Sequence, residues 1–209
     1  MTEPSATVYV VDDEPDMLKA LERLLGAAGF SVQTFPSPEQ FLALHDDTVP
    51  GCIVLDLALP GLNGLELQQV LQAQGSALPI VFLTGRGDIA ASVRAMKLGA
   101  ADFLTKPVDA ETLIAAVNAA LERNREKRAD RSETLLVASR LAALTARERD
   151  VFDLIAQGRL NKQIAAECGT VEQTIKFHRA NLMRKLGVRT VADLVRLAER
   201  AGTGKPHSD

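Results

Sequence analysis

The rhythm of apolar and polar positions changes near the middle of the chain. Over residues 1–121, short β-rich runs alternate with stretches of helical period. The runs cover 8–11, 32–35, 52–55, 80–83 and 102–105. Two of them, C-I-V-L and I-V-F-L, are apolar throughout, as expected of parallel strands buried on both faces. Helical stretches fall between them at about 15–28, 38–45, 64–74, 88–98 and 109–122. Pro15 and Pro38 suit first-turn positions, and Gly29 and Gly99 suit helix ends. Strict alternation predicts an α/β flavodoxin-like (βα)5 domain over 1–121.

From Val108 to Gln157 there is neither glycine nor proline. Within that span, 122–140 (ERNREKRADRSETLLVASR) is charged and rich in helix formers. It predicts a helical linker continuing the fifth helix, the alternative being a solvated, disordered joint. Residues 141–201 then read as an all-α, four-helix domain. Thr145-Ala-Arg-Glu148 and Thr170-Val-Glu-Gln173 both have the form of a capping box, and Asn161 stands as a cap between them. Helices are expected to begin near 146, 162 and 171, with a fourth over 191–201. The tail 202–209 is expected to be flexible. Its G-T-G-K fragment lacks the flanking strand and helix of a phosphate-binding loop.

With 209 residues, 46% of them hydrophobic and 24% charged, the chain can bury two cores. The net charge of -3 conceals an asymmetry. Residues 1–121 carry 15 acidic side chains against 6 Lys or Arg, a balance of -9. Residues 122–209 carry 12 against 18, a balance of +6. An acidic half joined to a basic half suggests two domains with different partners, the basic one suited to a polyanion, though solvated surface charge alone would look the same. Cys52 and Cys168 lack metal-type spacing and read as buried free thiols. Neither a signal peptide nor an apolar run near the ~20 residues of a membrane span is evident. These features lead to the expectation of a cytoplasmic protein with no membrane partner.

Chemistry gathers at the strand ends. Asp12 and Asp13 follow the first strand, and Asp56, more than forty residues later, follows the third. In a 2-1-3-4-5 sheet the winding direction reverses between those two strands, so the carboxylates should converge beyond their carboxyl ends. Crowded carboxylates need a cation, and Mg²⁺, which takes a few carboxylates plus water and phosphate oxygens, suits them. Thr84 ends the fourth strand with a hydroxyl that could donate to a phosphoryl oxygen. Lys106 follows the fifth with an ammonium that could pair with the same group. Carboxylate nucleophile, metal, hydroxyl and cation together are what phosphoryl transfer to an aspartate requires.

The segments VYVVDDEPD, CIVLDLALPGLNGLEL, PIVFLTGRGD and GAADFLTKPVD resemble the receiver domain of two-component response regulators over about 5–122. That resemblance implies Asp56 as phosphoacceptor. It implies Asp12, Asp13, Asp56 and the Ala58 backbone carbonyl as Mg²⁺ ligands, and Thr84 and Lys106 as phosphoryl contacts. It further implies a cis Lys106–Pro107 bond and, with Thr84, Phe103 as a switch residue, although Phe103 also reads as plain core. Many relatives carry a longer or basic side chain where Ala58 stands. A small residue there should open the phosphoryl group to water, which leaves its lifetime, and any self-dephosphorylation, open.

In the basic half, a helix over 171–186 plotted at about 100° per residue gathers Ile175, Leu182 and Leu186 on one face, with Val171 nearby. The other face holds Gln173, Lys176, Phe177, Ala180, Asn181 and Arg184. Such a surface suits major-groove reading, and Arg179, Lys185, Asn161 and Lys162 suit phosphate contacts. A small protein-binding bundle is the alternative from periodicity alone. TARERDV, NKQIA, TIKFHRANLMRKL and VRTVADLV, however, resemble the four-helix LuxR-type helix-turn-helix domain over about 140–200. The resemblance adds Thr174 and His178 to the DNA-facing set, with His178 as a packing or phosphate-contacting residue. The fusion resembles the FixJ-type branch of response regulators.

What the resemblance implies is a transcription regulator, in the main an activator, phosphorylated by a sensor histidine kinase. It would dimerise through the 88–122 face on a dyad-like site in promoter DNA, work with RNA polymerase and associate with the nucleoid. Two rivals stay open. A phosphatase using an aspartyl phosphate would need an acid-base carboxylate at position 58, which is Ala. A DNA-binding protein with an unphosphorylated, degenerate receiver would not need the intact Asp12, Asp13, Asp56, Thr84 and Lys106 set.

Overall fold

The computed structural model describes residues 6–85 and 89–201. The expected tail at 202–209 and the expected start of the fourth helix at Asp88 lie outside the described residues. Five parallel strands, β1 (Thr7–Val11), β2 (Ser31–Phe35), β3 (Gly51–Leu55), β4 (Ile80–Thr84) and β5 (Asp102–Thr105), pair in the order β2-β1-β3-β4-β5. This is the doubly wound order, with its reversal between β1 and β3. Side-chain alternation divides the core in two. Val8, Val10, Cys52, Val54, Val81 and Leu83 face α1 (Pro15–Ala27) and the first turns of α5 (Ala110–Ala142). Tyr9, Val11, Ile53, Leu55, Ile80 and Phe82 face α2 (Pro38–Leu44), α3 (Gly64–Ala73) and α4 (Ile89–Lys97).

Gly64 opens α3 directly under the third strand. A Cβ there would lie 2.6 Å from the Asp56 carbonyl oxygen and 3.1 Å from Leu57 Cα, both backbone atoms that cannot swing aside. The absence of a side chain lets the helix start close beneath Asp56. Asn63 caps it with a box that the sequence reading passed over: Asn63 Oδ1 accepts from Glu66 N at 3.0 Å, and Asn63 N donates to Glu66 Oε2 at 2.9 Å.

The chain forms two compact units, one ending at Arg128 and the other beginning at Ala129. The partition falls inside α5, a continuous helix of 33 residues that includes the whole expected linker. In the second unit, α6 (Ala146–Ala156), α7 (Asn161–Glu167), α8 (Glu172–Leu186) and α9 (Val191–Arg200) pack with Val137 and Leu141 of α5. Thr145 caps α6 as expected. Two expected caps are corrected. Asn161 is the first helical residue of α7, after Leu160. The cap of α8 is Val171, because Thr170 belongs to the turn closing α7, where its N–H donates to Ala165 O at 2.9 Å. Thr190 adds a box of its own with Asp193. Gly187, at φ +69°, ends α8 in the left-handed conformation that glycine adopts without strain.

Glu148 is buried at the head of α6, where Oε2 accepts from Lys185 Nζ at 2.6 Å and from Thr145 N at 2.9 Å. The Lys185 hydrogen bond, then the Thr145 contact, hold its carboxyl at about 2 against burial, which alone would raise it. The thiols differ more than expected. Cys52 is fully buried and pushed up to about 12 by burial, whereas Cys168 is half-buried.

Glu148→Gln is expected to lower the stability of the second unit by about 2 kcal/mol at neutral pH. The wild-type contribution is complete above the ordinary value of 4.5 and disappears as pH falls from there toward about 2. Thermal melts of both proteins across that range should therefore converge at the acid end. For Gly64→Ala, urea titration should show a loss of ~1–3 kcal/mol, because backbone must move to admit the methyl group.

Candidate functional site

Asp12 and Asp56 converge beyond the carboxyl ends of β1 and β3, and both are buried. Lys106 joins them from the end of β5. Its ammonium lies 2.7 Å from Asp12 Oδ2 and 3.1 Å from Asp56 Oδ1. The remaining oxygens are held by backbone: Asp12 Oδ1 accepts from Glu14 N at 2.9 Å, and Asp56 Oδ2 from Ala58 N at 2.8 Å. Burial acts to lower the Lys106 pKa, but its hydrogen bonds and charge interactions with Asp12 and Asp56 outweigh that and raise it. The ammonium therefore stays charged at neutral pH.

Thr84 is buried at the end of β4, and its carbonyl accepts from Lys106 N at 2.7 Å. The Lys106–Pro107 bond is cis. Phe103, half-buried in β5, packs against the core with its ring centroid 6.0 Å from that of Phe82. Asp13 is not drawn into the cluster and remains exposed. Ala58 is exposed as well, and its N–H, donating to Asp56 Oδ2, joins it to the site.

Among the described residues no three carboxylate, imidazole or thiolate groups gather closely enough to hold a metal ion unaided. The donor chemistry nevertheless fits Mg²⁺, which is commonly held by one or two carboxylates, with water and phosphate oxygens completing the shell. Asp12 and Asp56 are such a pair of hard oxygen donors.

On α8 the three expected core residues, Ile175, Leu182 and Leu186, are fully buried. Val171, expected beside them, is 66% exposed. Gln173, Lys176, Phe177, Ala180 and Arg184 are exposed, and Thr174, His178, Arg179 and Asn181 are half-buried. Phe177 leaves 64% of its surface to solvent, and its ring lies 5.9 Å from that of His178. Lys176 pairs with Glu172 at 3.4 Å on the exposed side, and Arg184 donates to Asn181 Oδ1 at 3.1 Å. Arg179 donates to Asn161 Oδ1 at 2.8 Å, tying α8 to the first turn of α7, next to exposed Lys162.

Lys185, expected at the phosphates, is exposed, and its ammonium pairs with the buried Glu148 at 2.6 Å. Nothing in helical periodicity marked that partner, 37 residues away. Gly64 was also missed. Its signal was present in Asn-Gly-Leu-Glu, a cap and its return partner around a glycine.

The response regulator receiver domain family matches residues 8–118, and the luxR family of bacterial regulatory proteins matches residues 142–198. Nodulation protein W of Bradyrhizobium diazoefficiens is 41% identical over 98% of this chain and 90% of its own length. The transcriptional regulatory protein FixJ of Azorhizobium caulinodans is also 41% identical, over 95% of this chain and 94% of its own. Among solved structures, the response regulator StyR is 44% identical with a TM-score of 0.85, covering 94% of this chain and 99% of that one. Full-length FixJ from B. japonicum is 39% identical with a TM-score of 0.57, covering 95% and 98%. This chain belongs to the two-component response regulators that join a receiver domain to a LuxR-type DNA-binding domain, and it is a transcription regulator.

Proposed function

We propose that Asp56 accepts a phosphoryl group from a sensor histidine kinase and that this controls how tightly α8 binds promoter DNA. The observation that carries the reading is the Lys106 ammonium shared between Asp12 and Asp56 at 2.7 and 3.1 Å. In the transfer, an Asp56 carboxylate oxygen forms the new bond to phosphorus while the P–N bond of the donor phosphohistidine breaks. The negative charge added at Asp56 then falls beside Lys106, already charged and oriented. The Thr84 hydroxyl donates to a phosphoryl oxygen in this scheme, and Phe103 follows Thr84 in the switch. Asp12, Asp13, Asp56 and the Ala58 carbonyl would hold Mg²⁺, which supplies neutralisation of the phosphoryl oxygens. The exposed methyl of Ala58 leaves a path for water to the phosphoryl group, which is the route self-dephosphorylation would take.

Phosphorylation favours dimerisation through the 88–122 face, where Ile89, Val93 and Met96 of α4 expose apolar side chains. Asp88, within that face, lies outside the described residues. A dimer presents two α8 helices about one DNA turn apart, ~34 Å, to a dyad-like site. Gln173, Lys176, Phe177, Ala180, Asn181 and Arg184 read bases there. Thr174, His178, Arg179, Asn161 and Lys162 support them at the backbone, and RNA polymerase is the downstream partner in activation.

Incubation with a small phosphodonor and Mg²⁺ is expected to give a single base-labile adduct by intact mass, absent from Asp56→Asn, together with tighter specific DNA binding. An adduct that persists in Asp56→Asn, or one without effect on DNA affinity, would sink the reading. At the DNA face, Lys176→Ala should reduce discrimination between selected and mismatched duplexes by ~1–3 kcal/mol, measured by competition binding.

A further inference from the structure

Two polar side chains on α5 have partners that the acceptor chemistry does not use. Asn124 is only 1% exposed. Its Oδ1 accepts from Gly51 N at 3.1 Å, at the head of β3, and its Nδ2 donates to Ala77 O at 2.8 Å, just before β4. One turn later, Arg128 Nε donates to the same Asn124 Oδ1 at 3.1 Å. Its Nη1 donates to Thr48 O at 2.9 Å, and its Nη2 donates to Val49 O at 2.8 Å and to Asp47 O. One guanidinium thus closes three consecutive carbonyls of the loop entering β3 and steadies the amide that joins β3 to β4. The planar fork of donors suits this, whereas the point charge of a lysine does not.

The place of the clamp in the chain gives it meaning. Arg128 is the last residue of the first unit. Residues 129–136 are all exposed, and the next buried side chain of α5, Val137, belongs to the second core. Over those exposed turns no side chain is buried in either core, although Glu133 pairs with Arg200 of α9. The clamp also sits at the amino ends of β3 and β4, whereas Asp12, Asp56 and Lys106 sit at the carboxyl ends of the strands. Removing it leaves the acceptor site alone.

We infer that Arg128, acting through Asn124 and the loop carbonyls, is the positioning residue that fixes the linker helix to the receiver. A rearrangement begun at Asp56 then passes into α5 instead of dissipating at a loose joint. The inference rests on the phosphorylation reading above. Coupling between acceptor site and DNA face is a free energy, measurable as the ratio of DNA affinities with and without the phosphoryl group.

The test uses the full chain, acetyl phosphate with Mg²⁺, and a duplex selected by the wild-type protein from a random-sequence pool. Wild type should bind about 5- to 150-fold tighter when phosphorylated. Arg128→Ala should keep the wild-type rate of phosphate uptake and the unphosphorylated affinity, while its ratio falls to about 2-fold or less. Arg128→Lys should be intermediate. Arg125→Ala, which removes a side chain paired with Glu122 at 3.7 Å on the exposed side, should behave as wild type. A full ratio in Arg128→Ala overturns the inference. So does loss of phosphate uptake or basal binding in that variant, since Arg128 would then only hold the fold. A wild-type ratio of one would bring down the phosphorylation reading, and this inference with it.

Discussion

Two carboxylates brought out of water side by side repel each other unless a positive charge stands between them. Here that charge is Lys106, hydrogen-bonded to Asp12 and Asp56 at once. The constraint reaches down into the sheet. β1 and β3 must be neighbours for the acids to meet, and β5 must end level with them for the lysine to arrive. The helix under β3 must also begin without a side chain, which Gly64 achieves. Each of these backbone choices would be hard to understand without the charge they serve.

The second unit is organised around a different ion pair. Glu148 caps its own helix and receives Lys185 from the last turn of α8, so one carboxylate sets both where α6 starts and how α8 lies against it. Arg179 and Asn161 repeat the device between α8 and α7. The exposed face of α8 is thereby held from both sides by side chains tied to neighbouring helices.

Much of this was legible in the sequence, and the parts that were not share a cause. The acidic site could be read because sheet topology converts positions into proximity: Asp12 and Asp56 meet beyond the first and third strands, although Asp13 beside them turns outward. The burial of Ile175, Leu182 and Leu186 followed from helical period. Caps were read only as far as local pattern goes. Thr145 and Glu148 form their box, but Thr170 was claimed by the end of α7, and Asn161 by Arg179. The pairing of Lys185 went unseen because its partner comes from another helix. Asn124 and Arg128 looked like linker because their partners are backbone carbonyls and an N–H, groups that every residue carries and no sequence distinguishes. A charged stretch tells that water is near, not which of its members turn inward.

The two thiols differ in a way that has experimental value. Cys52 lies at the centre of the sheet, one strand position after Gly51 and four residues before Asp56, with its thiol pushed up to about 12. Cys168 is half-buried in the other unit. A thiol-reactive dye therefore meets one slow and one fast site, each confined to its own unit. The slow site becomes labelled only when the receiver sheet opens, which makes the unmodified chain its own reporter of receiver unfolding.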